Sequence, residues 1–298
     1  MGLSALQPNV PNYNSGAALR SFLHERGFSI RKQWGQNFLI NPMARKTLAD
    51  ALDAECGSTV WEIGSGPGCM THELLGRGLK TTAFEIDPGL CSVLEELFSA
   101  IPGFSLVRGD VLKTWKTAPK ALYLLGNLPY TVAAMLMGNL IENNCFFSRM
   151  VITVQKEVAQ RMAAAAGSAD YSSISVLCSS AYTMKIIMTL KGRSFYPVPR
   201  VDSAAVRFDR LPNAKPYPAL FCPLVRSLFA ARRKTIANNL VNFINHSCTI
   251  TGTGNAAGDV AALAMKNCGL KGSERAEMLT VDVFLALAGE LGKTLKGN

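Results

Sequence analysis

The feature that most constrains the fold is a short apolar run that leads directly into a glycine-rich turn. Residues 59–63 read as a buried strand, the next five residues are Gly-Ser-Gly-Pro-Gly, and the apolar spacing of 70–75 predicts a helix. Because the turn lacks side chains at its glycines, a ligand can approach the backbone closely there. The segment predicts an α/β domain with a ligand site at this turn.

The spacing of the three glycines distinguishes between known kinds of binding turn. The dinucleotide pattern Gly-x-Gly-x-x-Gly would need glycine at position 69, which is Cys69, and no Gly-Lys-Ser/Thr follows as a phosphate-binding loop requires. The spacing Gly64-x-Gly66-x-Gly68 is instead that of turns that bind S-adenosylmethionine (SAM). A tight turn with a purely structural purpose is the alternative at this point.

Polar side chains also mark the ends of three further predicted strands. They are Glu85 in strand 81–86, Asp110 after strand 104–108, and Asn127 after the apolar run 121–125. A carboxylate about 20 residues past the glycine turn is placed to hold ribose hydroxyls. Each residue also has a simpler explanation, as a cap or a turn residue. Because ligands bind beyond the carboxyl ends of parallel strands, four such ends in succession favour one shared site.

The alternation of strands and helices continues to about residue 210. Further strands are predicted at 150–154, 184–190 and 204–208, and helices at 17–26, 42–52, 155–166 and 171–180. We therefore predict a doubly wound α/β domain over 17–210, in which strand 204–208 closes the sheet. Residues 1–16 are rich in Pro, Asn, Ser and Gly and are predicted to be flexible, whereas 211–298 are predicted to form a helical domain.

The composition of the 298-residue chain restricts which partners, metals and cellular location are expected. Its net charge of +10 indicates an acidic partner such as nucleic acid or an anionic surface, and the alternative is a basic protein with no polyanionic partner. No apolar run reaches the length of a membrane span, and the first residues lack the apolar core of a signal peptide. The eight cysteines are scattered and do not combine with the three histidines at any zinc spacing, so we expect reduced thiols, no metal and a cytoplasmic protein.

Seven cations are candidates for contact with nucleic acid. They are Arg31 and Lys32 beside Trp34, Arg200 in a proline-bearing loop, and Arg226, Arg232, Arg233 and Lys234, which are predicted to share one helix. Residues 211–298 hold ten Lys and Arg against five Asp and Glu. A solvated helix face is the simpler explanation, but with this charge a face that contacts phosphates is favoured.

Six segments occur together in the order of a known family. They are residues 35–39 (Gly-Gln-Asn-Phe-Leu), 62–68, 85–87, 109–112, 127–130 (Asn-Leu-Pro-Tyr) and 195–203. In this combination the chain resembles the ribosomal RNA adenine N6,N6-dimethyltransferases of the bacterial KsgA (RsmA) kind, from about residue 20 to about 240. The resemblance implies a seven-stranded SAM-dependent methyltransferase sheet, of the Rossmann-like class, with a small all-helical carboxyl-terminal domain that binds RNA or the ribosome.

The resemblance also implies roles for individual residues. The expected cofactor-binding residues are Asn37, Leu39, Gly64, Gly66, Glu85, Ile86, Asp110, Val111 and Asn127, with Glu85 on the ribose and Asp110 on the adenine amine of SAM. The expected catalytic residues are Asn127, Leu128, Pro129, Tyr130 and Phe195. In this scheme Asn127 and the Leu128 carbonyl accept hydrogen bonds from the target amine, while Tyr130 and Phe195 stack on the two faces of a flipped adenine.

The implied activity is dimethylation of two adjacent adenines in the 3′-terminal hairpin loop of 16S rRNA, by a monomer acting on the 30S subunit or its precursor. Three alternatives stay open. One is a 23S rRNA adenine methyltransferase of the resistance type, and the residues after Val201 and Arg232 argue against it. A non-catalytic assembly or transcription factor is opposed by the intact Asn127 motif, and a DNA methyltransferase would more often carry Asp at that position.

Overall fold

The computed structural model describes residues 10–30, 35–212, 217–247 and 256–295, without the side chains of Tyr130 and Ala256. The strands are β1 Phe38–Leu39, β2 Thr59–Ile63, β3 Lys80–Glu85, β4 Phe104–Arg108, β5 Tyr123–Asn127, β6 Arg149–Gln155, β7 Tyr182–Leu190, β8 Phe195–Tyr196 and β9 Ser203–Arg210. The helices are α1 Gly16–Glu25, α2 Pro42–Leu52, α3 Cys69–Gly76, α4 Pro88–Phe98, α5 Val111–Thr114, α6 Tyr130–Glu142, α7 Lys156–Met162, α8 Ser173–Ala181, α9 Phe221–Ala230, α10 Ile236–Ser247, α11 Ala256–Asn267 and α12 Val281–Thr294.

Seven of these strands form one sheet in the order β4-β3-β2-β5-β6-β9-β7. Strands β2 to β6 pair in parallel, and β9 pairs antiparallel to β6. The expectation that residues 204–208 close the sheet is wrong, since β9 lies between β6 and β7 and the edge strand is β7. The β9 side chains are buried at Ala204, Ala205, Val206 and Phe208, so an interior position covers them where an edge would expose one side.

Local signals fix where the helices begin. The Asn41 side chain accepts a hydrogen bond from the Ala44 N–H, at 3.0 Å, and Pro42 occupies the first turn of α2. The Asp87 carboxylate caps α4 in the same way by accepting from the Gly89 N–H, at 2.8 Å. These caps start each helix immediately after a strand or loop, and Asp87 places α4 directly beyond the end of β3.

The chain divides into two compact units. Unit 1 comprises residues 1–136, 147–159 and 184–210, and unit 2 comprises 137–146, 160–183 and 211–298. Unit 2 takes two segments from within the predicted methyltransferase range, 137–146 and 160–183, and the predicted domain limits stay a prediction. In unit 2, α9 packs against α8, α10 and α12, around buried side chains such as Phe221 and Phe284.

The amino-terminal segment is ordered where the structure describes it, which corrects the expectation that residues 1–16 are flexible for positions 10–16. Tyr13 is 4% exposed and packs in a core with α1 and α4. The buried Arg45 guanidinium donates to the carbonyls of Tyr13 and Leu39, each at 3.1 Å, and to the Asn14 side chain. Burial of an aromatic ring and three hydrogen bonds to one cation outweigh a loop-like composition.

Candidate active site

The site lies at the point where the order of the parallel strands reverses. Strands β2 and β5 are neighbours in the sheet, with β3 and β4 on one side and β6 on the other. A crevice opens beyond the carboxyl ends of two such strands, because their connections leave in opposite directions. Gly64 follows the end of β2, and Asn127 is the last residue of β5. The predicted cofactor turn and the predicted catalytic motif therefore meet at one crevice.

The glycine turn forms a cradle that side chains would fill. Gly64 has φ +74° and Gly66 has φ +58°, in the left-handed region that favours glycine. A Cβ on Gly64 would lie 3.3 Å from the Asn127 carbonyl oxygen, and one on Gly66 would lie 3.0 Å from the Phe38 ring. The backbone of the turn thus faces the crevice directly.

Glu85 lies at the end of β3 and organises the backbone around it. Its Oε2 accepts a hydrogen bond from the Gly66 N–H at 2.8 Å, and its Oε1 accepts from the N–H groups of Ile86 and Asp87, each at 2.9 Å. Burial raises the pKa of this carboxyl above its ordinary value, and the three backbone donors oppose that rise. Oε1 already accepts two bonds and Oε2 only one, so Oε2 remains able to accept a bond from a hydroxyl.

Asn127 is held in a defined orientation. Its Nδ2 donates to the Asn37 carbonyl at 2.8 Å, and the Asn37 side chain donates in turn to the Gly35 carbonyl at 2.9 Å. Among the described residues, no donor reaches the Asn127 Oδ1 or the Leu128 carbonyl. The Leu128 N–H donates to the Thr153 carbonyl at 2.9 Å, which fixes the chain between β5 and α6. Two acceptors are therefore available together at the crevice.

Phe195 forms a buried wall of the same site. It is 2% exposed, and its strand β8 pairs antiparallel with β1, so that Leu39 lies opposite Phe195 and Phe38 opposite Tyr196. This two-stranded pairing joins the segment that precedes α2 to the proline-bearing loop 195–203. The predicted cofactor side and the predicted base side thus share a hydrogen-bonded backbone.

A cavity of about 490 Å³ collects most of the predicted site residues. Those that line it are Asn37, Gly64, Gly66, Glu85, Ile86, Asp110, Val111, Asn127, Leu128, Pro129 and Phe195. Leu39 lines a smaller adjoining space of about 30 Å³, together with Asn37, Gly64 and Asn127. Tyr130 begins α6, and the stacking role of its ring stays a prediction. The volume falls within the roughly 300–1,000 Å³ typical of small-molecule sites.

Asp110 has the capping role that was its simpler explanation. Its Oδ1 accepts from the Leu112 N–H at 2.9 Å, at the start of α5. The residue also lines the cavity, so contact with an adenine amine stays a prediction.

The predicted RNA-contacting cations belong to separate segments of the chain. Arg200 is exposed beside cavity residues of the 195–203 loop, and Arg31 and Lys32 lie outside the described residues. The expectation that the other four share one helix is wrong, because α9 ends at Ala230 and Arg232, Arg233 and Lys234 lie in the turn that follows. The Asn239 side chain donates to the Leu228 and Ala231 carbonyls at 3.3 and 3.2 Å and so satisfies the end of α9.

Two of these cations form ion pairs within unit 2. Arg226 lies 2.9 Å from Glu142, and Arg232 lies 3.3 Å from Glu277. Arg233 and Lys234 are exposed. Contact between any of the four and phosphate stays a prediction.

Several cavity residues were not predicted, and two of them carry polar side chains at strand ends. Gln155 is the last residue of β6 and Ser203 is the first of β9. The rule that singled out Asn127, a polar residue after an apolar strand, applies equally to Gln155, which was instead taken as the start of a helix. Ser203 had no such signal, since its position depends on pairing with β6.

These residues fit the predicted cofactor. A Cβ on Gly64 or Gly66 would crowd the Asn127 carbonyl oxygen or the Phe38 ring, and a buried carboxylate with spare acceptor capacity lies beside the turn. Within the described residues, no group of three or more His, Cys, Asp or Glu could hold a metal ion, and no helix is long and apolar enough to cross a membrane.

The sheet order, the glycine turn and the crevice define a Rossmann-like methyltransferase, which confirms the predicted fold. Its structural neighbours include a dimethyladenosine transferase from Plasmodium falciparum, with a TM-score of 0.72 and 24% identity over 85% of this chain and 96% of that one. The 23S rRNA methyltransferase ErmE superposes with a TM-score of 0.58 and 23% identity over 86% and 99%. At these identities the similarity concerns the fold alone.

Sequence comparison is more specific. Residues 27–256 match the family described as ribosomal RNA adenine dimethylase, and the chain belongs to that family, as its motifs predicted. It is similar to the ribosomal RNA small subunit methyltransferase A of Treponema denticola, at 40% identity over 95% of this chain and 96% of the relative. The corresponding protein of Treponema pallidum is 42% identical over 94% of this chain and 98% of the relative. That of Myxococcus xanthus is 35% identical over 92% of this chain and 95% of the relative.

Proposed function

We propose that the protein transfers methyl groups from SAM to the N6 amines of two adjacent adenines in the 3′-terminal hairpin loop of 16S rRNA. It acts in the cytoplasm, as a monomer, on the small ribosomal subunit or its precursor. Membership of the rRNA adenine dimethylase family and the names of its relatives support the substrate. The observation that carries the chemistry is Asn127, held at the crevice with its oxygen free to accept a hydrogen bond.

The problem for the enzyme is the weak nucleophilicity of the adenine amine, whose lone pair is delocalised into the ring. The Asn127 Oδ1 and the Leu128 carbonyl accept hydrogen bonds from the amine and draw the nitrogen toward a tetrahedral geometry. The bond from Asn127 Nδ2 to the Asn37 carbonyl, at 2.8 Å, directs Oδ1 toward the substrate. Because the amide is neutral, Asn127 orients the amine and does not remove its proton. The nitrogen is positively charged once the methyl group has transferred, and it then loses a proton to water.

SAM supplies, when bound, a methyl group made electrophilic by its sulfonium. Glu85 would hold the ribose hydroxyls, and Asn37, Leu39 and Gly64 would hold the methionine end. The buried Phe195 provides an apolar wall on which the flipped base stacks, and one such stacking contact stabilises the bound base by roughly 1–3 kcal/mol. That gain is comparable to the cost of extruding a base.

The charge of unit 2 supports a role in holding the RNA. Arg233 and Lys234 are exposed in the turn after α9, and Arg200 is exposed near the cavity. Lys and Arg that neutralise phosphates release counterions, so such binding weakens with salt.

The test offers radiolabelled SAM with undermethylated small subunits, naked rRNA, large subunits and DNA. We expect label in adenine of the small-subunit rRNA. Label only in large subunits would indicate the 23S activity, label only in DNA a DNA methyltransferase, and no label a binding protein.

Asn127→Ala gives the matching site test. We expect at least a hundredfold loss of methyl transfer, the scale of removing one positioned polar group, with retained binding of SAM and rRNA. Asn143→Ala is the matched control, because the exposed Asn143 amide makes a similar 2.8 Å bond to a carbonyl away from the cavity. Near-normal turnover by Asn127→Ala would contradict the role proposed for Asn127 in methyl transfer.

A further inference from the structure

A second row of polar side chains lies beside Asn127 on the same face of the sheet. Asn127 pairs with Thr153 of β6, and Gln155, two residues further along β6, pairs with Ser203 of β9. Paired residues of neighbouring strands project to the same face, and so do residues two apart on one strand. Asn127, Gln155 and Ser203 therefore project from one face of three adjacent strands.

Gln155 and Ser203 both line the cavity that contains Asn127, Leu128 and Phe195. Gln155 is exposed and Ser203 is half-buried, and in the part of the chain described here neither side chain has a hydrogen-bond partner. Their donors are thus free for a ligand. The proposed mechanism leaves them unused, because Asn127 and Leu128 supply only acceptors for the amine.

The backbone that carries this pair is braced. The Lys156 N–H donates to the Asp202 carbonyl at 3.0 Å, immediately beyond the Gln155–Ser203 pair. The Asp202 carboxylate accepts from the Lys191 ammonium at 2.6 Å. Because Gln155 and Ser203 lie on paired strands, their distances from Asn127 are fixed. A contact that recognises the target base requires such fixed distances.

An adenine with its N6 amine at Asn127 presents ring nitrogens on either side of that amine, N1 on one edge and N7 on the other. Both are acceptors, and Gln155 carries two N–H donors while Ser203 carries one O–H donor. Guanine has a carbonyl where adenine has the amine, and its N1 is a donor. We infer that Gln155, with Ser203 beside it, is a specificity determinant that donates a hydrogen bond to a ring nitrogen flanking the target amine. This inference rests on the proposed function.

The experiment is a double-mutant cycle between protein and substrate. Wild type and Gln155→Ala are assayed on small subunits reconstituted with adenine, 1-deazaadenine or 7-deazaadenine at the methylated positions. We expect Gln155→Ala to lower kcat/KM on adenine about tenfold, the size of one hydrogen bond. One deaza analogue should lower kcat/KM of wild type by a similar factor and leave kcat/KM of Gln155→Ala unchanged. The other analogue should change kcat/KM of both proteins by the same factor.

The controls distinguish a contact that recognises the base from one that only supports the fold. SAM affinity and melting temperature of Gln155→Ala should match wild type, and Gln160→Ala removes an equivalent exposed amide that does not line the cavity. If Gln155→Ala does not fold, Gln155→Glu keeps the length of the side chain, lacks the N–H donors, and should lose at least tenfold on adenine.

Two results would overturn the inference: full activity of Gln155→Ala on adenine, or equal factors for both proteins with both analogues. A wild type that methylates no small-subunit adenine at all would instead reject the proposed function, so the two failures are distinguishable.

Discussion

Replacement of Gly66 by alanine tests whether the cofactor cradle depends on the absence of one side chain. Gly66 has φ +58°, and a Cβ there would lie 3.0 and 3.2 Å from two atoms of the Phe38 ring. Phe38 is buried and its backbone is paired with Tyr196, so the room for its ring to move away from a Cβ is restricted. The Gly66 N–H also donates to Glu85, at 2.8 Å, and a displaced turn would weaken that bond.

Two costs add for Gly66→Ala. A left-handed backbone costs an L-residue about 1–2 kcal/mol. Insertion of a methyl group against a packed ring costs about 1–3 kcal/mol more. Gly27 provides the matched control, because its φ is +68° and nothing lies within 4 Å of a built Cβ. Gly27→Ala therefore meets only the first cost, and the difference between the variants isolates the crowding.

The assays are thermal unfolding and calorimetric titration with SAM. We expect Gly66→Ala to melt roughly 2–12 °C below Gly27→Ala, from the usual shift of about 2–4 °C per kcal/mol for a chain of this size. SAM should bind Gly66→Ala at least tenfold more weakly and bind Gly27→Ala as it binds wild type. Equal melting temperatures of the two variants, with unchanged SAM affinity, would refute the reasoning.

Three further outcomes follow from individual contacts. Burial raises the pKa of the Glu62 carboxyl to about 8 in the folded protein. Between about pH 5 and 8 the unfolded chain is therefore ionised at this position while the folded protein keeps the proton, so the free energy of unfolding falls as the pH rises. Relative to Glu62→Gln, the free energy of unfolding of wild type should fall by up to about 1.4 kcal/mol per pH unit, measured by urea unfolding. Tyr13→Phe removes the 2.9 Å bond to the Pro67 carbonyl and should cost about 1–2 kcal/mol in the same assay. Arg233→Ala and Lys234→Ala should each reduce by about 1 the steepness with which the logarithm of the rRNA binding constant falls against the logarithm of the salt concentration (the salt slope), measured by filter binding.

Each of these has its own control. For Glu62→Gln the control is pH itself, since a stability difference that does not change with pH would contradict the pKa argument. Tyr123→Phe removes a hydroxyl with no partner among the described residues and should be neutral; an equal effect of both tyrosine changes would count against the Pro67 bond. Lys80→Ala, at the amino end of β3 and far from the strand ends that form the crevice, should leave the salt slope unchanged.

Local patterns predicted those elements whose limits are set by nearby residues. Strands 59–63 and 104–108 were predicted with the bounds observed, and α2 begins where Asn41 and Pro42 indicated. The strand that carries Asn127 was predicted at 121–125 and lies at 123–127. Its end is decided by pairing with β6, which extends to Thr153, and no local signal contains that partner.

Features that depend on distant contacts were not predictable in the same way. The composition around Tyr13 is that of a loop, and its burial depends on Arg45 and on the turn at Pro67. The position of β9 between β6 and β7 also arises from long-range pairing. Most of the site was nevertheless predictable, because parallel strands bring their carboxyl ends together whatever the loops do. Gln155 was missed because its helix-like neighbours obscured the strand end.

The pairing of β1 with β8 has a thermodynamic consequence. Leu39 and Phe195 are partners in that pairing, so the backbone of the predicted cofactor side is hydrogen-bonded to the backbone that carries the predicted base wall. A cofactor that orders Asn37 to Leu39 removes part of the conformational entropy that base binding would otherwise have to remove. By linkage, RNA that binds against Phe195, as proposed, would tighten cofactor binding by the same factor. The two ligands are therefore expected to bind cooperatively, through a ladder of two residue pairs.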